Sequence, residues 1–193
     1  MSAVRKNRYT PQEYVALERS AQHRSEFYRG EMFAMVGGSP RHNDIAGNIY
    51  HGLRNLLKGG NCRPYHSDQR IRVNPAGLHT YPDVSVVCGQ LELDEADLDA
   101  VTNPRIIFEV LSRSTESYDR GKKFEFYRGM DSLAEYILVS QEEPHVERFV
   151  RQPDSSWRLT EAKGLAESIE LTAISCRLAL ADIYDNVAFE AFE

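Results

Sequence analysis

Glu109 interrupts a run that should otherwise be buried, Arg105-Ile106-Ile107-Phe108-Glu109-Val110-Leu111. Nearly continuous apolar runs mark central strands covered on both faces. A lone carboxylate there costs several kcal/mol unless it is paired, protonated or bound to a metal. Asp83 raises the same question in Tyr81-Pro82-Asp83-Val84-Ser85-Val86-Val87-Cys88, where it stands at the mouth of a second apolar strand. If the two strands are neighbours, their carboxylates meet at one edge of a sheet. Two carboxylates that close repel, and one pKa rises. A hard divalent cation such as Mg²⁺ removes the conflict, because it accepts one or two carboxylates together with water and phosphate oxygens. The competing reading for each residue alone is a salt bridge to an arginine or a cap at a strand end.

The elements around these two residues follow from pattern. Thr10-Pro11-Gln12-Glu13 is a helix start with a capping box, and Tyr14, Leu17 and Ala21 form its predicted inner stripe. Glu26 to Met35 reads as a hairpin with Gly30 near its turn. A second helix begins at Ser39-Pro40, carries Ile45, Ile49, Leu53 and Leu56 at helical spacing, and stops at Gly59-Gly60. Asp68 to Val73 alternates as a strand, with Arg70 and Arg72 opposite Ile71 and Val73. Leu91 to Val101 mixes acidic and apolar residues and is expected to form a short surface helix. Ser112 to Thr115 is a polar turn that caps a helix from Glu116, with Phe124 and Tyr127 inward and Gly129 at its end. Ala134 to Ser140 is a further apolar strand, Val146 to Arg151 and Ser156 to Thr160 an antiparallel pair, and Leu178 to Tyr184 a short helix or turn. Helices bracketing a central mixed sheet make the chain α/β or α+β. No repeat or internal linker appears, so residues 1–193 are expected to form one domain, with residues 1–9 disordered.

Bulk properties exclude several classes. The chain has 193 residues, enough for a core that needs no disulfides, and no apolar run approaches the roughly 18 residues that span a bilayer. The basic N-terminus is followed by no apolar stretch, so no secretory leader is expected. Cys62, Cys88 and Cys176 are odd in number, far apart and without a C-x-x-C, a pattern expected of reduced thiols in a cytoplasmic protein. The net charge of −6 weighs against a large nonspecific DNA surface, which needs Lys and Arg, but not against DNA binding through a local cation. Zinc ligation by Cys62 with His66, or His79 with Cys88, lacks a second pair to complete a tetrahedral site. No G-x-S-x-G supports a serine hydrolase, and Ser112 is more simply a turn cap.

Pro82-Asp83 followed by Phe108-Glu109-Val110 resembles the split PD…(D/E)-x-K signature of restriction-endonuclease-like nucleases. More closely, the chain resembles the Uma-two family within that superfamily. The matching pieces are Glu26 to Glu31, Tyr81 to Val84, Glu109 to Ser112, Ser114 to Glu116, Asp119 to Phe124, Tyr127 and Leu133 to Tyr136, in order from about residue 10 to residue 185. The resemblance implies a central mixed sheet flanked by helices, an acidic pair at strand ends, and Mg²⁺- or Mn²⁺-dependent phosphodiester hydrolysis. The implied partner is nucleic acid, DNA first, with a homodimer as the expected assembly and no membrane. It implies no organic cofactor.

The sequence departs from the standard signature at one place. Two residues after Glu109, on the same strand face, stands Leu111 instead of lysine. The residue matching the family is Lys123, one position from the inward Phe124–Tyr127 stripe; the alternative is a solvated helix lysine paired with Asp119. Lys122 is the weaker candidate. The resemblance also brings Glu26 toward the metal site, against the plain reading of an exposed hairpin charge. His42, in the first turn of its helix, can contact phosphate or shuttle a proton, or merely cap the turn. Gln69, on a strand before Asp83, is a further candidate contact. The implied metal ligands are Asp83, Glu109 and the carbonyl of Val110. The rival function is a nuclease fold that no longer cuts and serves as a homodimeric binding or regulatory module, with Met32, Phe33 and Met35 as a contact surface or as core.

Overall fold

The computed structural model describes residues 8–74 and 76–189. The expectation of disorder for residues 1–7 lies outside them. Tyr9 is docked, its N–H donating to the Gly30 carbonyl at 2.9 Å.

Helix α1 (Pro11–Ser20) carries the expected capping box, with the Thr10 hydroxyl accepting from the Glu13 N–H and the Glu13 carboxylate accepting from the Thr10 N–H. Its buried face is Tyr14, Val15 and Glu18; Leu17 and Ala21 point outward. The face is chosen by polar partners, since Glu18 Oε1 accepts from the Tyr81 hydroxyl and the Ser25 N–H, both at 2.9 Å. Strands β1 (Ser25–Tyr28) and β2 (Glu31–Ala34) form the predicted hairpin. Arg29 and Gly30 both have positive φ at the turn, the combination that matches strand twist in a two-residue hairpin. Of the three candidate contact residues, Met32 packs against the α1 cluster while Phe33 is half exposed.

Helix α2 (Pro40–Leu56) buries Ile45, Ile49 and Leu53 but leaves Leu56 half exposed, one correction to the predicted stripe. Then come β3 (Cys62–His66), β4 (Arg70–Val73), β5 (Leu78–Thr80), β6 (Val84–Cys88), β7 (Ala100–Val101) and β8 (Ile106–Val110). The segment from Leu91 to Val101 is an irregular loop of bends and turns rather than a helix, closed by a bridge from Leu93 to Val101. Asp94 accepts the N–H groups of Ala96 and Asp97, a local turn that competes with helix, and fully buried Asp97 anchors the loop to Arg70. After β8, α3 (Glu116–Tyr118), a π-helical turn (Asp119–Lys123) and α4 (Phe124–Tyr127) run as one broken helix. The chain ends through β9 (Glu135–Val139), β10 (His145–Arg151), β11 (Trp157–Lys163), β12 (Ser168–Leu171), β13 (Cys176–Ala179) and α5 (Leu180–Ile183). The expected terminal helix therefore begins only at Leu180, because Cys176–Ala179 pairs with β12.

Six strands form a mixed sheet in the order β11-β10-β9-β8-β6-β3, in which only β8 and β9 run parallel. A second sheet has the order β2-β1-β5-β4-β7. One core lies between α2, α5 and one face of the six-stranded sheet, around Ile45, Ile49, Phe108 and Ile137. The other joins the opposite face to α4 and the second sheet, around Ile107, Tyr127, Leu138 and Ile71. This is the α/β arrangement of a central mixed sheet flanked by helices. The six-stranded sheet also overturns the thiol expectation: Cys62 and Cys88 stand directly opposite each other on β3 and β6 and are disulfide-bonded, leaving Cys176 free. Two cysteines separated by 26 residues become partners only through strand register. Neither is then available for the zinc pairings.

Candidate active site

The antiparallel ladder ends with Val84 opposite Phe108, which brings Asp83, in the bend just before β6, to the Glu109–Val110 end of β8. Glu109 shares its strand face with Ile107 and Leu111, the face covered by α4. The Val110 N–H donates to Asp83 Oδ2 at 2.7 Å, fastening the two strand ends together. The group of Val110 that meets Asp83 is thus its amide.

Glu109 is 4 % exposed. Its Oε1 accepts from the Tyr127 hydroxyl at 2.9 Å and from Lys123 Nζ at 2.8 Å. Burial pushes the Glu109 carboxyl well above the usual range; Lys123 opposes this, while Asp119 and Asp83 add to it. Lys123 is itself buried, and its ammonium also lies 3.5 Å from Asp119 and 3.6 Å from Glu26. Burial disfavours that charge, but Glu109, Tyr127, Glu26 and Asp119 overcome it and hold the ammonium well above its ordinary pKa. The helix thus delivers the amine that the strand lacks at Leu111. Lys122, by contrast, is on the surface with Glu125 at 2.9 Å.

The π-helical turn spans Asp119 to Lys123, four residues apart, and turns both to the interior. They are the two buried residues of the turn, while Arg120 faces out to Glu116 and Glu147. Such widened turns occur disproportionately at functional sites. The Tyr136 hydroxyl donates to the Asp119 carbonyl at 3.0 Å and pins the turn to β9. Asp119 enters the cluster as more than a pairing partner for a surface lysine. Its signal was readable: Asp119, Lys123 and Tyr127 recur every four residues. Thr80 and Tyr118, whose hydroxyls both donate to the Glu26 carboxylate, carried no comparable signal.

His42 approaches from the other side. Ser39 caps α2, and the helix start presents His42 Nε2 at 3.2 Å from Asp83 Oδ2. Burial opposes the imidazolium, but Asp83 outweighs it and the pKa is raised above 6.5. Gly38 is needed here, since a Cβ on it would lie 2.6 Å from His42 Nδ1. Gln69 does not join the cluster. Its amide donates to the Asp99 carbonyl at 2.8 Å and to the Arg70 carbonyl at 3.1 Å, because the turn before β4 faces the 97–99 loop.

The donors fit a hard divalent cation in chemistry. Four carboxylates (Glu26, Asp83, Glu109 and Asp119) surround one ammonium and one imidazole, an anionic surplus in a buried setting. Lys123 stands among them and screens their charges from one another. Among the described residues, the trio with ligand atoms all within 4.8 Å of one another is elsewhere, at His145, Glu147 and Glu161 on β10 and β11. Glu147 there is already paired with Arg120.

Residues 11–181 match the family Uma2, described as "Putative restriction endonuclease". This chain belongs to the Uma2 family. It is 33 % identical over 180 residues to the uncharacterized protein slr1290 of Synechocystis sp., covering 93 % of each chain. It is 34 % identical over 163 residues to sll1609 of the same organism, covering 84 % of this chain and 92 % of that one. Its fold is similar to the crystal structure of a "putative nuclease belonging to DUF820" from Anabaena variabilis, with a TM-score of 0.71 at 16 % identity over 91 % of this chain and 97 % of the other. The fold is therefore that of a nuclease-like Uma2 protein. No helix among the described residues is long and apolar enough to cross a membrane.

Proposed function

We propose that this Uma2 chain is a divalent-metal-dependent nuclease that hydrolyses a phosphodiester bond of nucleic acid, DNA foremost. The observation that carries the reading is that Asp83 is bound to the Glu109–Val110 strand end, its Oδ2 accepting from the Val110 N–H at 2.7 Å, with Lys123 Nζ 2.8 Å from Glu109. Asp83, Glu109 and the Val110 carbonyl are the groups that would hold Mg²⁺ or Mn²⁺. When bound, such an ion supplies Lewis-acid polarisation of phosphate and activation of water.

The remaining work falls to the chain. Asp83 is held in place by the Val110 amide and His42. Tyr127 fixes the rotamer of Glu109. Lys123 carries a permanent positive charge toward the oxygens that gain negative charge as water adds to phosphorus. Its carboxylate neighbours keep it protonated, so it acts as an electrostatic and positioning group rather than as a base. His42, protonated more readily than an isolated imidazole, can return a proton to the departing oxygen as the P–O bond breaks. Glu26, tied by Thr80 and Tyr118, holds the far side of the ammonium.

The test is nicking of supercoiled plasmid with Mg²⁺ or Mn²⁺, for the wild type and Asp83→Asn. Nicking by the wild type, suppressed by EDTA and reduced about 100-fold or more in the variant, is the expected result. A variant that cuts as fast as the wild type, or a wild type inert with both ions, overturns the reading. A second reading, a non-cutting homodimeric binding module, is favoured by Lys123 itself, whose ammonium already neutralises part of the acidic cluster. Inert protein that neither binds metal nor changes stability with it supports that alternative.

A further inference from the structure

We propose that the crevice between α2 and β3 is a nucleotide subsite, taking an unpaired base and its phosphate from the strand that leads to the Asp83–Glu109 cluster. The inference rests on the nucleic-acid reading above and specifies how the strand is held. The crevice has a volume of about 340 Å³ and is lined chiefly by Tyr50 and Arg54 of α2 and Arg63, Tyr65 and His66 of β3.

Charge comes first. Arg54 and Arg63 are exposed and make no ion pair among the described residues. The one carboxylate on the rim, Asp68, is paired with Arg24 at 2.8 Å and lies 3.5 Å from His66 Nδ1. A chain with net charge −6 thus lines a single cavity with two uncommitted arginines, Arg54 from α2 and Arg63 from the other face of the edge strand β3. Guanidinium is the side chain best matched to phosphate.

Shape comes second. Tyr50 and His66 meet edge to face at 5.5 Å on the α2 side of β3, while Tyr65, one residue before His66, packs on the other face of the strand. Aromatic groups interleaved with arginines bind unpaired bases through stacking, which a base inside a duplex does not offer. β3 is the edge strand of the six-stranded sheet, and Pro64 lies in its middle. Proline has no N–H for a ladder, so this edge is poorly suited to adding a strand from another protein.

Position comes third. His42 touches Asp83 at one end of α2, and Tyr50 lies eight residues on along the same helix. That is about 12 Å along the axis, a distance that a strand of a few nucleotides spans. β3 returns to the same end of the sheet, because His66 pairs with Val84, the neighbour of Asp83. A strand lying in the crevice is therefore directed at the acidic cluster.

The experiment measures binding of the intact chain in EDTA, so that cleavage does not enter. The probes are a fluorescein-labelled oligothymidylate, an abasic strand of equal length, and a duplex of equal length. Arg54 and Arg63 are exposed, so Arg54→Ala/Arg63→Ala leaves folding undisturbed. We expect the double variant to bind the oligothymidylate about 100-fold more weakly, roughly tenfold for each guanidinium–phosphate pair removed. The slope of log K against log salt becomes shallower by about 1.4, at about 0.7 per phosphate neutralised on a single strand. The abasic strand and the duplex bind the wild type at least tenfold more weakly than the oligothymidylate. Wild-type affinity in the double variant, no binding of oligothymidylate at all, or equal binding of the abasic strand overturns the subsite. Oligonucleotide binding that depends on these arginines, without plasmid nicking, overturns the nuclease reading and leaves the subsite standing. Plasmid nicking with unaltered binding in the double variant does the reverse.

Discussion

Replacing Lys123 by Met keeps the aliphatic stem and removes the ammonium, which isolates what that charge does. It lies 2.8 Å from Glu109, 3.5 Å from Asp119 and 3.6 Å from Glu26. At an effective dielectric of about 20, each attraction is worth about 5–6 kcal/mol before desolvation. Desolvation of the buried groups cancels most of that, and removing one partner of a buried ion pair costs about 3–5 kcal/mol. At about 2–4 °C per kcal/mol for a chain of this size, the variant should melt at least about 6 °C lower in EDTA near pH 8. The acids can relieve the loss by protonating. Glu109 is already raised by burial and by Asp119 and Asp83, and Lys123 is the charge that opposes them. A carboxyl with a raised folded pKa binds protons more tightly in the native state, so stability falls as pH rises from the unfolded value near 4.3 through the folded value. The deficit of Lys123→Met should accordingly shrink toward pH 5. A divalent ion should also relieve it, adding about 2.7 kcal/mol at 100 times its Kd. Calorimetry across pH, with and without Mg²⁺, reads all three. A variant as stable as the wild type at pH 8 in EDTA, or one that gains no more from Mg²⁺ than the wild type does, refutes the view of Lys123 as the resident counter-charge of a cation site.

Two further outcomes are accessible. His42 in metal-free protein should titrate above 6.5 by NMR, because Asp83 outweighs burial; in Asp83→Asn burial should win and carry it below 6.5. The stability this pair contributes is fully present below the unfolded pKa and is lost as pH rises through the folded one, so a wild-type imidazole titrating at or below 6.5 contradicts the assignment. Far from the site, Arg148 donates to both oxygens of Glu135, which is fully buried and also accepts the Ala173 N–H. Arg148→Met should cost about 3–5 kcal/mol in urea unfolding and leave metal binding unchanged, and a loss under about 1 kcal/mol would show that this pair is not a structural anchor.

Much of the site was legible because burial of charge is legible. Glu109 stood out against Ile106, Ile107, Phe108 and Val110, and Asp83 against Val84 and Val86, since an unpaired carboxylate in apolar strands demands a partner. The hairpin at Arg29-Gly30, the start of α2 at Ser39-Pro40 and the Thr10–Glu13 box were equally readable, because each depends on local chemistry within a few residues. Errors fell where the deciding partner is remote. Leu17 yielded the inner face of α1 to Glu18 because Tyr81 sits 63 residues away with a hydroxyl to give. Leu91 to Val101 formed no helix because Asp97 anchors to Arg70. Gln69 turned to Asp99 instead of the acidic cluster.

The sequence by itself set Glu109 and Asp83 among apolar strand residues and put Leu111 where the signature has lysine, and the family resemblance pointed to Lys123 in the next helix. Tertiary structure alone decided the rest: that Asp83 is fastened to the Val110 amide at the end of β8, that Glu26 closes on Lys123 from the hairpin, and that Cys62 meets Cys88. The physical reason is range. Local propensity and burial act over a few neighbours along the chain, whereas register, side-chain convergence and cross-strand pairing are fixed by contacts between segments that only folding brings together.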